Sequence, residues 1–127
     1  MAGNNKSVKR RWRDYKTEAQ NRPIKDYLSK LSDEDLAAVR AGMDEVRRLG
    51  LSAARHLRGE IYEVRAEGMS NSIRLLFANE GKKGRILLAL TVYEKRRQKA
   101  LASEMRLAER RLADWRRRGK EAKKRRR

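Results

Sequence analysis

The sequence predicts an α+β fold: an N-terminal strand and two helices, then a three-stranded antiparallel meander in one sheet, then a C-terminal helix, with the helices packed against one face. Three observations predict it. Apolar residues recur at three- and four-residue steps from Leu36 to Val46. From Glu60 to Tyr93 the period changes to two, over three runs joined by short polar turns. A helical repeat then returns after Ser103. The 127 residues suit one domain with one modest core.

Residues 1–7 read as a disordered start, residues 8–118 as the single domain and residues 119–127 as a basic flexible tail. Val8, Trp12 and Tyr15 are sparse apolar points in a short strand, expected at a sheet edge. Pro23 opens a short helix, where its missing N–H costs nothing. Ile24, Tyr27, Leu28 and Leu31 give that helix one apolar face. Ser32 suits the N-cap of the next helix, with Asp33, Glu34 and Asp35 at its positive end. Leu36, Val39, Met43 and Val46 form its inner stripe, Arg47 and Arg48 suit its C-terminal end, and Gly50 stops it. Gly42 inside it costs about 1 kcal/mol relative to Ala, and nothing in the sequence explains it.

Residues 61–66 form the next strand, with Tyr62, Val64 and Ala66 on one face and Ile61, Glu63 and Arg65 on the other. After a turn at residues 68–71, residues 73–78 form a second strand. A polar loop at residues 79–84 leads to residues 86–93, an almost wholly apolar strand expected to be covered on both faces. Short connections imply antiparallel neighbours. Ser103 is the expected cap of the last helix, with Leu107, Ala108, Arg111, Leu112 and Trp115 facing inward.

Charge points to a partner. Lys+Arg is 35 against 17 acids, a net +18. Residues 95–127 alone hold 16 Lys/Arg and 4 acids. Such a field attracts polyanions, and nucleic acid is the favoured one. A membrane surface is disfavoured, because no helix pairs a basic face with a broad apolar one. The absence of cysteine excludes disulfide scaffolds, thiolate zinc sites and cysteine nucleophiles. No signal-peptide stretch or membrane span is present, so a cytoplasmic location is expected.

The stretch Leu57-Arg58-Gly59-Glu60-Ile61-Tyr62-Glu63-Val64-Arg65 resembles the second strand of phage-derived HigB-like toxins, within the RelE/ParE superfamily. The resemblance continues through Ile73-Arg74-Leu75-Leu76-Phe77 and Arg85-Ile86-Leu87-Leu88-Ala89-Leu90. It ends in Lys95-Arg96-Arg97-Gln98-Lys99 and the helix from Glu104 to Trp115, and covers roughly residues 8–118. It implies a RelE-like fold and the toxin of a type II toxin–antitoxin pair. RNA-cutting members carry basic and hydroxyl-bearing residues on an open sheet face, use no metal or other cofactor, and cleave mRNA, usually on the ribosome. The implied partners are a cognate antitoxin, expected to be a helix-turn-helix protein, the ribosome and mRNA, and operator DNA through the antitoxin.

Residue by residue, the resemblance assigns Arg65, Arg74, Tyr93, Lys95 and Arg96 to catalysis. Arg97, Lys99, Arg85, Lys82 and Lys83 are the expected RNA-binding cations. The chain departs from the pattern at Glu94, where some HigB enzymes place histidine, at Glu63, where RelE-type enzymes can carry a second basic residue, and at Arg97, Ala100 and Leu101. Arginine suits phosphate because its planar donors match two oxygens at once. Arg65 and Arg74 can flank one phosphate if they share a face. A tyrosine titrates near pH 10, so Tyr93 acts as a base only if cations lower it. Lys95 and Arg96 are candidates for that influence. Glu63 and Glu94 are alternative bases. Neither arginine has an acidic partner fixed by local sequence, so both are expected to matter for cutting more than for folding. His56 reads as a structural or exposed loop residue. Two other functions fit the same scaffold: a ParE-like gyrase inhibitor, and a nucleic-acid-binding protein without catalysis. Cut mRNA, cleaved DNA with gyrase, or neither would separate the three.

Overall fold

The structure, a computed structural model, describes residues 9–69, 71–96 and 98–126, with the side chains of residues 98–100 outside that description. The expected disordered start lies outside it as well. The elements are β1 (Arg11–Asp14), α1 (Pro23–Ser29), α2 (Asp33–Leu49), β2 (Arg55–Arg58), β3 (Ile61–Glu67), β4 (Ser72–Glu80), β5 (Ile86–Glu94) and α3 (Gln98–Arg125). The strands form one mixed sheet in the order β1-β5-β4-β3-β2, in which β1 runs parallel to β5 and the other pairs are antiparallel. The expected meander is therefore its centre, and β1 is an edge as the sparse apolar pattern implies.

Strand β2 is absent from the sequence reading. Its residues, Arg55-His56-Leu57-Arg58, show no apolar alternation and are mostly exposed. Backbone pairing with β3, not side-chain burial, makes it a strand: Arg55 faces Glu63 and His56 faces Tyr62. His56 thus lies on a strand rather than in a loop. Its Nε2 is 2.8 Å from the Gly59 carbonyl, and its ring leans on Tyr62.

Helix α2 has the expected bounds. The Ser32 hydroxyl accepts from the Asp35 N–H at 3.2 Å. Asp35 does more than favour the helix terminus: it is buried, and Asn71 Nδ2 donates to it at 2.8 Å, tying α2 to the β3–β4 turn. Val39 and Val46 are fully buried on the inner stripe. Gly42 now has an account. A Cβ there would sit 2.6 Å from Val64 Cγ1, so glycine lets α2 close onto β3.

The helices do not share one face. Trp12 donates its indole N–H to the Met43 carbonyl at 2.8 Å and meets Phe77 edge-on, which puts α2 and the even residues of β1 together. The odd residues of β1 point the other way, and α3 meets them. The Tyr15 hydroxyl donates to Asp114 at 2.6 Å, and Arg13 lies over Trp115. So α2 covers one face and α3 crosses the opposite one, burying Met105, Ala108 and Leu112. Burial of β5 on both sides, expected from its composition, follows. Helix α3 also starts before Ser103, which is inside it rather than its cap, and continues to Arg125.

Pairing between β4 and β5 carries a bulge. Leu76 faces Thr91 but Phe77 faces Ala89, so Leu90 is an extra residue. Arg111 Nη1 donates to the Leu90 carbonyl at 2.7 Å, satisfying the group that leaves the ladder. The extra residue inverts the alternation of β5 beyond it. Ala89 shares the face of Asp14 and Phe77, toward α2. Thr91 and Tyr93 share the face of Leu76 and Arg74, toward α3.

Candidate functional site

Cross-strand register assembles the site. Arg65 on β3 faces Arg74 on β4, and Arg74 faces Tyr93 on β5. Directly opposed residues project to one face, so these three form a row across the three central strands, near one end of the sheet. Glu63 and Glu67 flank Arg65 two residues away on the same face, and Ser72 faces Glu67. The expectation that Arg65 and Arg74 share a face is met only because of this register, and Tyr93 joins them only because of the bulge.

The acids correct one expectation. Both arginines do have carboxylate partners. Arg65 Nε donates to Glu63 Oε1 at 3.1 Å. Arg74 Nη1 donates to Glu67 Oε1 at 3.0 Å, and its Nε lies 3.8 Å from Glu63 Oε2. The Arg74 side chain is 6% exposed, that of Arg65 45%. Arg74 is thus a buried charge whose removal would leave Glu63 with Arg65 as its one ion-pair partner among the described residues, and its role in folding is larger than its place in the sequence suggests. Arg65 keeps both terminal nitrogens free of described hydrogen-bond partners, on a half-exposed side chain.

Glu63 is 4% exposed, and burial raises its pKa despite the opposing pull of Arg74, Arg55 and Lys95. Strand β2 stops pairing at Glu63, leaving the β3 edge beyond it open. A cavity of about 260 Å³ beside that edge is lined by Glu45, Arg55, Glu63 and Arg65. Glu67 is exposed, and its pKa is lowered by the hydrogen bonds from Arg74 and Ser72. Tyr93 is buried at its ring, and its pKa is pushed up to about 12, first by burial and then by Glu63. Arg74 opposes that rise but does not overcome it. The Tyr93 hydroxyl has no hydrogen-bond partner among the described residues, which leaves it available as a donor.

Lys95 follows Tyr93 on the same face, donates its backbone N–H to the Ser72 carbonyl at 2.8 Å, and bears electrostatically on Glu63 and Glu67. Arg96 lies elsewhere. It pairs with Glu94 at 2.9 Å, and Glu94 faces Ile73 on the α2 side of the sheet. Arg96 and Glu94 are thus separated from the row, and Arg96 is not among the groups that bear on Tyr93. Lys82, Lys83 and Arg85 sit in the β4–β5 connection at the other end of the sheet. Arg97 lies outside the described residues, as does the side chain of Lys99. Glu67 and Ser72 are residues the sequence reading missed. The signal for Glu67 was its spacing of two from Arg65; for Ser72 there was none without the register.

Among the described residues no group of three or more His, Asp or Glu side chains is placed to hold a metal ion. No helix among them is long and apolar enough to cross a membrane. What fold and site define together is a basic α+β protein with an arginine–glutamate–tyrosine row on one face of a mixed sheet. The chain belongs to the family described as phage derived protein Gp49-like (DUF891), which residues 26–113 match. That family is related to the RelE-type toxins of toxin–antitoxin pairs. No curated protein matches the chain closely enough to name as a relative.

Proposed function

We propose that this chain is the HigB-like toxin of a type II toxin–antitoxin pair and a metal-independent endoribonuclease that cuts mRNA on the ribosome. The observation that carries the reading is the row Arg65–Arg74–Tyr93, with Glu63 between the two arginines. It supplies the groups that cleavage by the substrate's own 2′-hydroxyl requires.

In this reading Glu63 accepts the proton of the 2′-hydroxyl. The 2′ oxygen forms its bond to phosphorus, the bond from phosphorus to the 5′ oxygen breaks, and a 2′,3′-cyclic phosphate remains. Arg65 donates its free terminal nitrogens to the phosphate oxygens as charge develops on them, with Arg74 fixing the carboxylate beside them. Tyr93 protonates or hydrogen-bonds the departing 5′ oxygen, a role favoured over that of a base by a pKa that burial pushes up to about 12. Lys95 adds positive potential at the same place. The protein would act in the cytoplasm, held in check by an antitoxin of helix-turn-helix type that also carries it to operator DNA. Because the toxin is strongly basic, an acidic antitoxin segment should associate more slowly as salt rises.

One observation favours a second reading, a nucleic-acid binder without catalysis: Arg74 is already engaged by two glutamates. Single-turnover cleavage on programmed ribosomes decides between them. Cut mRNA with a cyclic phosphate end supports the nuclease. Intact mRNA bound with a strong salt dependence supports the binder.

A further inference from the structure

The positive charge is not gathered at the row. It has a second pole, at the other end of the sheet. There Arg116 spans Glu60, with contacts of 2.7 and 2.8 Å, and Glu80, with contacts of 3.1 and 2.8 Å. Arg117 pairs with Glu18 and Asp114, and Arg118 with Asp114. Arg118 also donates to the Lys16 carbonyl. These three arginines fasten α3 to the body of the protein and use up their charge in doing so.

Beyond them the helix changes character. Gly119 has open space on its side-chain side. Lys120, Lys123, Lys124, Arg125 and Arg126 are exposed and form no ion pair with any described residue. Glu121, the single acid there, is taken by Arg117 at 2.9 Å. Ala122 is the single apolar side chain between Gly119 and Arg126, so a lipid surface would find nothing to bury. Lys82, Lys83 and Arg85, also exposed, belong to the same end of the sheet, since Arg116 grips Glu80 two residues before Lys82.

We propose that the last two turns of α3 and the β4–β5 connection form a second phosphate-binding surface that grips structured RNA away from the row. Residues 86–93 of β5 span about 25 Å, the length of about seven phosphates along one strand of a duplex. A short segment in the row therefore does not reach this pole. The two contacts act as linked sites on one large RNA, and the second raises the effective concentration at the first. The proposal rests on the nuclease reading only in choosing RNA over DNA.

The test uses the full chain and a combined variant, Lys120→Gln, Lys123→Gln, Lys124→Gln and Arg125→Gln. Glutamine keeps a helix propensity close to that of lysine, and matching melting curves confirm the fold. The first probe is a 20-base-pair RNA duplex followed by fluorescence anisotropy between 50 and 200 mM salt. With four phosphate contacts removed, the slope of log K against log salt should fall in magnitude by about 3.6, so the unmodified chain loses roughly a hundred-fold more affinity over that range. Equal slopes overturn the proposal. A DNA duplex of the same sequence bound ten-fold more tightly overturns the choice of RNA. The second probe is a trinucleotide followed by amide shifts of the row, which should titrate alike in both proteins; parallel weakening would mean a single site and sink the separation. A chain that shows the salt effect yet cuts no mRNA overturns the nuclease reading alone.

Discussion

Arg116 and Arg74 are each held by two glutamates, at opposite ends of one sheet, and the difference between them separates a fastening from a site. Arg116 spans Glu60 and Glu80 with four contacts of 2.7–3.1 Å. Its donors are filled, and all three side chains reach solvent to some degree. Arg74 has one good contact, to Glu67, and a long one to Glu63, and is nearly inaccessible. Around it stand a carboxylate raised by burial, a tyrosine with an unused hydroxyl, and Arg65 with free donors. A clamped arginine is therefore not informative alone. What matters is whether its neighbours are satisfied.

The largest expected effect is at Arg74. Arg74→Ala takes from Glu63 its buried counter-charge, leaving the half-exposed Arg65, and should destabilise the fold by about 3 kcal/mol, the low end for breaking a buried pair. Cleavage should be lost with it. Adding Glu63→Gln should restore much of the melting temperature without restoring activity; a double variant no more stable than the single one would show that the buried charge is not the source. Next is Arg65. Arg65→Ala should slow single-turnover cleavage about thirty- to a thousand-fold, the loss of roughly 2–4 kcal/mol of transition-state stabilisation being typical of one lost donor. Its melting curve should move far less than that of Arg74→Ala. Wild-type rates in this variant would move the site elsewhere.

Arg116→Ala should have the reverse profile: a loss of about 1 kcal/mol in stability, as expected for two partly exposed pairs, and an unchanged cleavage rate. A drop in rate without a drop in melting temperature would break the contrast. The smallest effects are in pH. Glu63 has a raised pKa, so the folded state holds that proton more tightly than the unfolded chain. Stability from this group therefore falls as pH climbs from the ordinary carboxylate value through the raised one, and the rate should rise over the same interval as the base ionises. Glu63→Gln should flatten both. Tyr93, held protonated to about 12 against 10 when unfolded, should withdraw stability above pH 10 and give no rate change between pH 8 and 10. Tyr93→Phe melting curves across that range check it.

Much of this was legible in the residues, and the rest has definite physical reasons for being hidden. Helix α2 announced itself by its cap, its stripe and its stop, all local signals. Glu63 and Arg65 on one face of β3 followed from period two. Strand β2 was invisible because pairing, not pattern, makes it. The partners of Arg74 were invisible because they come from a neighbouring strand, through a register that no local signal fixes. The composition of the C-terminal segment suggested a solvated tail, yet Arg116 and Arg117 find acids distant in sequence, Arg118 reaches the Lys16 carbonyl, and α3 continues to Arg125.

The bulge at Leu90 makes β5 a strand in two phases. Its first half is set by β1 and the α2 side, its second half by the row, and one residue is the offset between them. Length is therefore as informative as identity here. Substituting Leu90 by another apolar residue would keep the offset, whereas deleting it would remove the bulge alone, leaving Ala89 facing Phe77, Thr91 facing Leu76 and Tyr93 facing Arg74. What would go is the carbonyl that receives Arg111. A β5 one residue shorter would thus keep its row and loosen its hold on α3.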